Sequence, residues 1–354
     1  MNFLKPKRLQ TGDTVAAITL SSGLASVYPH VYETAKRNLE HLFGLKVITT
    51  PHALKDEDWI YNHPKERAED LHWALENPEV KGIFSMIGGN ESVRILPYLN
   101  HDLIRRHPKI FIGFSDTTIQ HVAFLNVGVT SFYGPSMLAG VANLKAYPYM
   151  LESFRQVLFE GYTGTLQAAP QWSETFLDWG TPDYADKAHE PLGLQAGEGW
   201  HWLQGDKRVE GHLVGGCIEV LEMLKGTQWW PKPELFDGAV LYLETSEETP
   251  TPVRVEEWLR NYASQGVLNS ISALLFARPC GYTLEMKEEL QQNILKVLKG
   301  VEREDLPVVA NMDIGHTTPM MTLPNGCKVA VDAEKETVEL LEAGVSKIPL
   351  TDLM

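Results

Sequence analysis

A chain of 354 residues with 44% hydrophobic and 22% charged residues is long enough to bury a sizeable core, with room for two domains. Its formal net charge of -15 argues against a general binder of nucleic acid or of membrane surfaces, since both partners are themselves anionic. Three cysteines, Cys217, Cys280 and Cys327, are widely spaced with no C-x-x-C pair, which argues against a disulfide framework or a thiolate zinc site and fits a reducing compartment.

The first residues include Lys5, Lys7 and Arg8 but lead into no apolar stretch of signal-peptide length, and no run approaches the ~20 apolar residues of a membrane helix. The expected location is the cytoplasm. Residues 14–20 read as a first strand that ends in the small-residue loop Ser21-Ser22-Gly23, followed by a helix over about residues 28–42. A second strand spans 46–49, and a helix begins at about Pro64 with Ala68, Leu71, Ala74 and Leu75 on one face. Residues 80–87 give a third strand that runs into Gly88-Gly89-Asn90-Glu91-Ser92. This alternation predicts a parallel, flavodoxin-like sheet with helices on both sides, and ligands of such sheets bind beyond the carboxyl ends of the strands.

The next strand, from Lys109 through Ile112, stops at Gly113-Phe114-Ser115, and from Asp116 a helical period places Ile119, Val122, Ala123 and Leu125 on one face. A sharp strand-to-helix turn lifts its residue above the sheet and beside backbone N–H groups, a position that suits a nucleophilic serine. Ser115, Asp116, Thr117 and Thr118 would equally serve as helix caps, and the elbow pattern G-x-S-x-G is absent because Thr117 follows two after Ser115. Gly88-Gly89 emerges on the same sheet edge, so the N–H groups of Gly89 and Asp116 are expected to form an oxyanion hole.

After a helix near 149–159, residues 166–206 are rich in Gly, Pro, Asp and Trp and read as a linker with a long active-site loop. Trp172 and Trp179 within it could stack on a planar ligand such as a nucleobase, although packing at a domain junction is the commoner use of such residues. Six short strands follow, at 208–214, 238–244, 273–276, 307–311, 327–332 and 337–340, with helices near 217–224, 252–265 and 283–298. The expected organisation is therefore an α/β domain over 1–165, the linker over 166–206, and a β-rich, barrel-like domain over 207–354.

Two residues of the second domain stand at strand mouths. Glu244 ends an apolar strand, and His316 lies in the loop Gly315-His316-Thr317-Thr318-Pro319 after another. Each read alone is a surface glutamate or a structural histidine. Read with Ser115, they are candidates for a proton relay in which His316 takes the serine proton and Glu244 holds the imidazole tautomer, at a site on the domain junction.

The segments Ile112-Gly113-Phe114-Ser115-Asp116, Leu241-Tyr242-Leu243-Glu244-Thr245-Ser246-Glu247 and Gly315-His316-Thr317-Thr318-Pro319 resemble, in order, the three catalytic segments of the LD-carboxypeptidase family of serine peptidases. Gly88-Gly89, Tyr133-Gly134-Pro135 and Gly215-Gly216 also fall where that family has such motifs, and the likeness runs over nearly the whole chain. The resemblance implies a catalytic triad of Ser115, Glu244 and His316, oxyanion donors at Gly89 and Asp116, no metal or organic cofactor, and a homodimer. Ile87-Gly88-Gly89-Asn90-Glu91-Ser92 and the Leu-Glu-Thr-Ser and Gly-His-Thr-x-Pro forms are more similar to the family's microcin C immunity branch than to its murein-cleaving branch. That branch implies cleavage of a carboxamide joining an acidic aminoacyl group to a nucleotide, with Trp172, Trp179, Asn90 and Cys217 at the substrate. Cys217 departs from the pattern, since family members often carry Asn after the paired glycines. The alternative is a murein tetrapeptide LD-carboxypeptidase that releases D-alanine, which would need positive side chains near Ser115 to grip a free carboxylate.

Overall fold

A computed structural model describes residues 2–346, and the alternation of apolar runs and amphipathic helices in its first third builds a six-stranded sheet. Its parallel strands are β1 (Thr14–Ile18), β2 (Lys46–Thr49), β3 (Val80–Ser85), β4 (Ile110–Gly113) and β5 (Phe132–Tyr133), in the order β5-β4-β3-β1-β2. All four residues of β4 are buried, as expected of a central parallel strand covered on both faces. The helices Pro29–Phe43 and Pro64–Glu76 each open on a proline, whose fixed φ and missing N–H cost nothing at that position.

The second sheet draws on residues ahead of 207. β6 (Gly164–Thr165) pairs with a strand near the far end of the chain, and β7 (Gln171–Trp172) and β8 (Gln195–Ala196) form a small two-stranded sheet. The expected linker also contains β9 (His201–Gln204), an edge strand of the second sheet that pairs antiparallel with β13 (Val308–Met312). All four residues of β9 are half-buried, so its sequence carries no in/out alternation to announce it.

β10 (Arg208–Cys217), β11 (Val240–Glu244), β12 (Ala273–Ala277) and β13 lie parallel at the centre of that sheet, joined by crossovers that contain the helices Ile218–Leu224, Pro252–Ser264 and Leu284–Lys299. Of the remaining strands, β14 (Leu323–Pro324) returns to pair with β5 in the first sheet, while β15 (Lys328–Asp332) and β16 (Thr337–Leu340) complete the second. The eight strands run β6-β16-β15-β10-β11-β12-β13-β9 and curl as a half-barrel. The β-rich expectation is met, with a parallel βαβ centre inside it.

The halves share their core. One apolar cluster joins Ile119 and Val122 to Val214, Ile218 and Leu221, and a second joins Phe132 and Tyr133 to Tyr242, Met320 and Leu323. A continuous apolar junction of this kind fixes the two sheets against each other, so strand-end loops of both can meet with defined geometry. Among the described residues no helix is long and apolar enough to cross a membrane.

Candidate active site

Ser115 opens a 3-10 turn, Ser115–Thr117, between the buried end of β4 and the helix Thr118–Asn126. Its φ is 61°, a left-handed conformation that costs a non-glycine residue about 1–3 kcal/mol unless its surroundings enforce it. Here the enforcing contact is a hydrogen bond from the Ser115 N–H to Tyr133 Oη at 3.1 Å. The glycine loop stands directly over the turn: a Cβ at Gly88 would lie 2.9 Å from Ser115 Oγ and 3.3 Å from Asp116 N, so only glycine fits there.

The Asp116 side chain anchors that loop. It is fully buried, and its Oδ2 accepts hydrogen bonds from Ser21 Oγ at 2.6 Å and from the Ser92 N–H at 2.8 Å, while Ser21 Oγ accepts from the Glu91 N–H at 3.2 Å. Burial pushes the Asp116 carboxyl above the usual carboxylate range, against the hydrogen bonds that favour its charge. One carboxylate thereby ties the loops after β1 and β3 to the serine turn.

Glu244 closes β11 with its side chain fully buried, and both carboxylate oxygens are engaged. Tyr133 Oη donates to Oε1 at 2.5 Å, and His316 Nδ1 lies 2.7 Å from Oε2. Gly315 has φ 74°, and a side chain at that position would run into the Glu244 carboxylate, so the glycine is what lets His316 approach. The imidazole packs edge-on against Phe114, ring centroids 4.9 Å apart, so the residue preceding Ser115 touches the ring that Glu244 holds. Tyr133 thus connects the serine's own N–H to the carboxylate behind the histidine.

His316 Nε2 faces Glu247 Oε2 at 3.0 Å and, among the described residues, makes no hydrogen bond to Ser115. Burial disfavours the charged imidazole, but the adjacent Glu244 and then Glu247 outweigh it and lift its pKa to about 10. The same contact holds the Glu247 carboxyl down, at about 2. Both ring nitrogens thus face carboxylates, Glu244 at Nδ1 and Glu247 at Nε2, an arrangement that favours the protonated ring.

A cavity of about 480 Å³ opens at this point, lined by Gly88, Gly89, Ser115, His316 and Glu247 at one end and by Tyr28, Phe176, Trp179 and Tyr184 at the other. Of the expected substrate-binding residues, Trp179 lines it, with its ring edge-on to Tyr28 at 5.6 Å. Trp172 does not. It is buried at 6% exposure with Arg278 and Lys287 over its ring at 4.7 and 4.5 Å, which leaves no free face for a base. Asn90 is exposed and does not line the cavity. Cys217 is buried, its N–H bonded to Thr118 Oγ1 and its thiol 3.4 Å from Glu219, and it does not reach the wall.

Sequence reasoning assigned no role to Tyr133, Glu247, Tyr28 or Tyr184. Tyr133 and Glu247 stood inside motifs that carry the family resemblance, and Tyr28 and Tyr184 carried no signal. Asp178 and Glu247 are the acidic groups on the cavity wall, and among the described residues no Lys or Arg lines it. No group of three His, Cys, Asp or Glu among the described residues is placed to hold a metal ion.

Residues 15–134 match the family model for an LD-carboxypeptidase N-terminal domain, and residues 210–331 match the model for an LD-carboxypeptidase C-terminal domain. The sequence is 28% identical over 352 residues to the microcin C7 self-immunity protein MccF of Escherichia coli, covering 96% of each chain. The structure superposes with a TM-score of 0.83 and 30% identity on an MccF-like protein from Streptococcus pneumoniae in complex with AMP, covering 94% of this chain and 99% of that one. With MccF in complex with aspartyl sulfamoyl adenosine the TM-score is 0.84 at 26% identity, over 97% of this chain and 100% of the other.

Proposed function

The chain belongs to the LD-carboxypeptidase family, and from that premise we propose that it is a serine hydrolase that opens the carboxamide bond joining an aminoacyl group to a nucleotide. The observation that carries this reading is that Ser115 and the Glu244-held His316 face one cavity whose far wall is aromatic. At about 480 Å³ that cavity is within the ~300–1,000 Å³ of ordinary ligand sites. Trp179 and Tyr28 offer ring surfaces to a base, and similar proteins hold AMP or aspartyl sulfamoyl adenosine.

In the proposed reaction, His316 Nε2 takes the proton from Ser115 Oγ as the oxygen attacks the carbonyl carbon. The new oxyanion points at the Gly89 and Asp116 N–H groups. Collapse breaks the C–N bond, the proton passes from His316 to the leaving nitrogen, and the aminoacyl group remains as an ester on Ser115. Water, deprotonated in turn by His316, then releases the acid and restores the serine. Glu244 keeps Nδ1 protonated and supports the imidazolium. Glu247 has to leave Nε2 before the serine can use it.

Cleavage of murein tetrapeptide is the less favoured reading because no Lys or Arg among the described residues lines the cavity to grip a terminal carboxylate. Action in the cytoplasm as a homodimer is part of the proposal. Light scattering that gives the mass of one chain would remove the dimer.

The test is to incubate purified protein with aminoacyl sulfamoyl adenosines and to measure free amino acid and sulfamoyl adenosine. Stoichiometric release, lost in Ser115→Ala, is the expected result. No release from any member, with D-alanine freed from a murein tetrapeptide, would replace this reading with the carboxypeptidase one.

A further inference from the structure

Resting on that reading, we propose that Glu247, with Asp178 lining the same cavity, selects substrates whose aminoacyl group carries positive charge beside the scissile bond: a free α-ammonium group with a neutral or basic side chain. Side chains that bear a carboxylate are selected against.

The Glu247 side chain, 67% exposed, reaches into the cavity and holds a cation there, His316 Nε2 at 3.0 Å. Its backbone is anchored. The Ser246 N–H and Oγ both donate to Glu219 Oε1 at 2.8 Å, and the Glu248 N–H donates to Ser246 Oγ at 3.2 Å. With the chain held on both sides, only the Glu247 side chain has to swing to exchange one cation for another. Glu244 and Glu219 add negative charge behind it, and the wall supplies no Lys or Arg among the described residues to balance any of these carboxylates.

An arriving ammonium group therefore competes with the imidazolium for the same carboxylate. When it pairs with Glu247, Nε2 loses one of the two charges that hold its proton, the proton passes to solvent water, and the neutral ring can face Ser115. Recognition of the amine and release of the base become one event. A substrate carboxylate at this end would meet like charge on Glu247, and the one cation beside it among the described lining residues is the imidazolium that Glu247 already holds. The acidic aminoacyl group implied by family resemblance does not suit this wall.

The experiment uses sulfamoyl adenosines that differ only in the aminoacyl group: lysyl, leucyl, aspartyl and Nα-acetyl-leucyl. Like-charge juxtaposition is expected to place the wild-type kcat/KM for lysyl and leucyl at least about tenfold above aspartyl, with acetylation lowering the leucyl value by a similar factor. In Glu247→Gln the gap narrows, and in Glu247→Lys the aspartyl compound gains. Calorimetric binding of the same four to Ser115→Ala reads the selection without chemistry. Wild-type turnover that prefers aspartyl, or an order unchanged in Glu247→Gln, overturns the selection while leaving the hydrolase reading intact. Tighter binding of leucyl and lysyl with no wild-type turnover supports the selection and overturns the hydrolase. Binding of none overturns both.

Discussion

The two ends of the cavity are built in opposite ways. At the strand ends, Asp116 and Glu244 are fully buried, His316 is 7% exposed, and each is held by at least two partners that come from distant segments. Across from them, the 166–206 segment presents Phe176 at 51% exposure and Trp179 half-buried. It is anchored near its ends, where Asp313 accepts from the Ala169 N–H and Trp200 Nε1 at 2.9 Å each and Trp172 is covered by Arg278 and Lys287, and in its middle, where the Trp179 carbonyl lies 2.6 Å from His30 Nε2 and Tyr184 is buried. Proton transfer needs atoms held within hydrogen-bond reach, whereas a wall that admits ligands does not. The chain places its buried polar network on the first and aromatic rings, from buried Tyr184 to exposed Phe176, on the second.

The largest break in this comparison comes from the rigid end. Ser115→Ala and His316→Ala are each expected to lower kcat on the order of 10⁴-fold or more, with ligand binding retained, as measured by single-turnover assay and calorimetry. Next is Tyr133→Phe. It removes a hydrogen bond to a charged group and leaves the Ser115 N–H without its partner, so kcat should fall by about 10–100-fold while KM stays. An unchanged kcat would show that the serine turn holds its left-handed backbone without help from the Tyr133 hydroxyl. At the other end, Trp179→Ala should raise KM by about tenfold, since an aromatic face under a base contributes roughly 1–3 kcal/mol. Trp172→Phe should leave KM alone and lower Tm. A rise in KM there would mean that the covered ring turns outward when substrate is bound.

The strand-to-helix step around Ser115 was legible because a short apolar run stops abruptly at residues suited to capping. Glu244 and His316 stood out as polar groups at the ends of buried strands. The six strand positions after residue 207 were legible too, while β9 was hidden by its uniform half-burial. Tyr133 was harder because an aromatic residue in a buried strand reads as core, and its hydroxyl gains meaning only from Glu244, 111 positions away. Trp172 and Trp179 differ by nothing local. What separates them is Arg278 and Lys287, more than a hundred residues on, which close over one ring and leave the other open. Glu247 looks like any exposed glutamate, and its partner lies on another loop.

Glu247 sits at the seam between the two ends, and it gives the smallest expected effect and the sharpest. The His316 pKa stands at about 10 because carboxylates on both ring nitrogens offset the cost of its burial, so removing the charge of one lowers it. A base that must first lose its proton gives a kcat/KM profile that rises with pH. In Glu247→Gln that rising limb should move to lower pH, by about one unit or more for the loss of an adjacent opposite charge. The stability sign follows from the same shift. A folded-state value raised above the ordinary 6.5 stabilises the protein fully below that pH, and this contribution is lost as pH climbs through about 10, so the variant's deficit in Tm should shrink over that interval. A limb that stays in place while the Glu244→Gln limb moves would mean that Glu247 leaves the ring in solution, and the seam would then belong wholly to the aromatic wall.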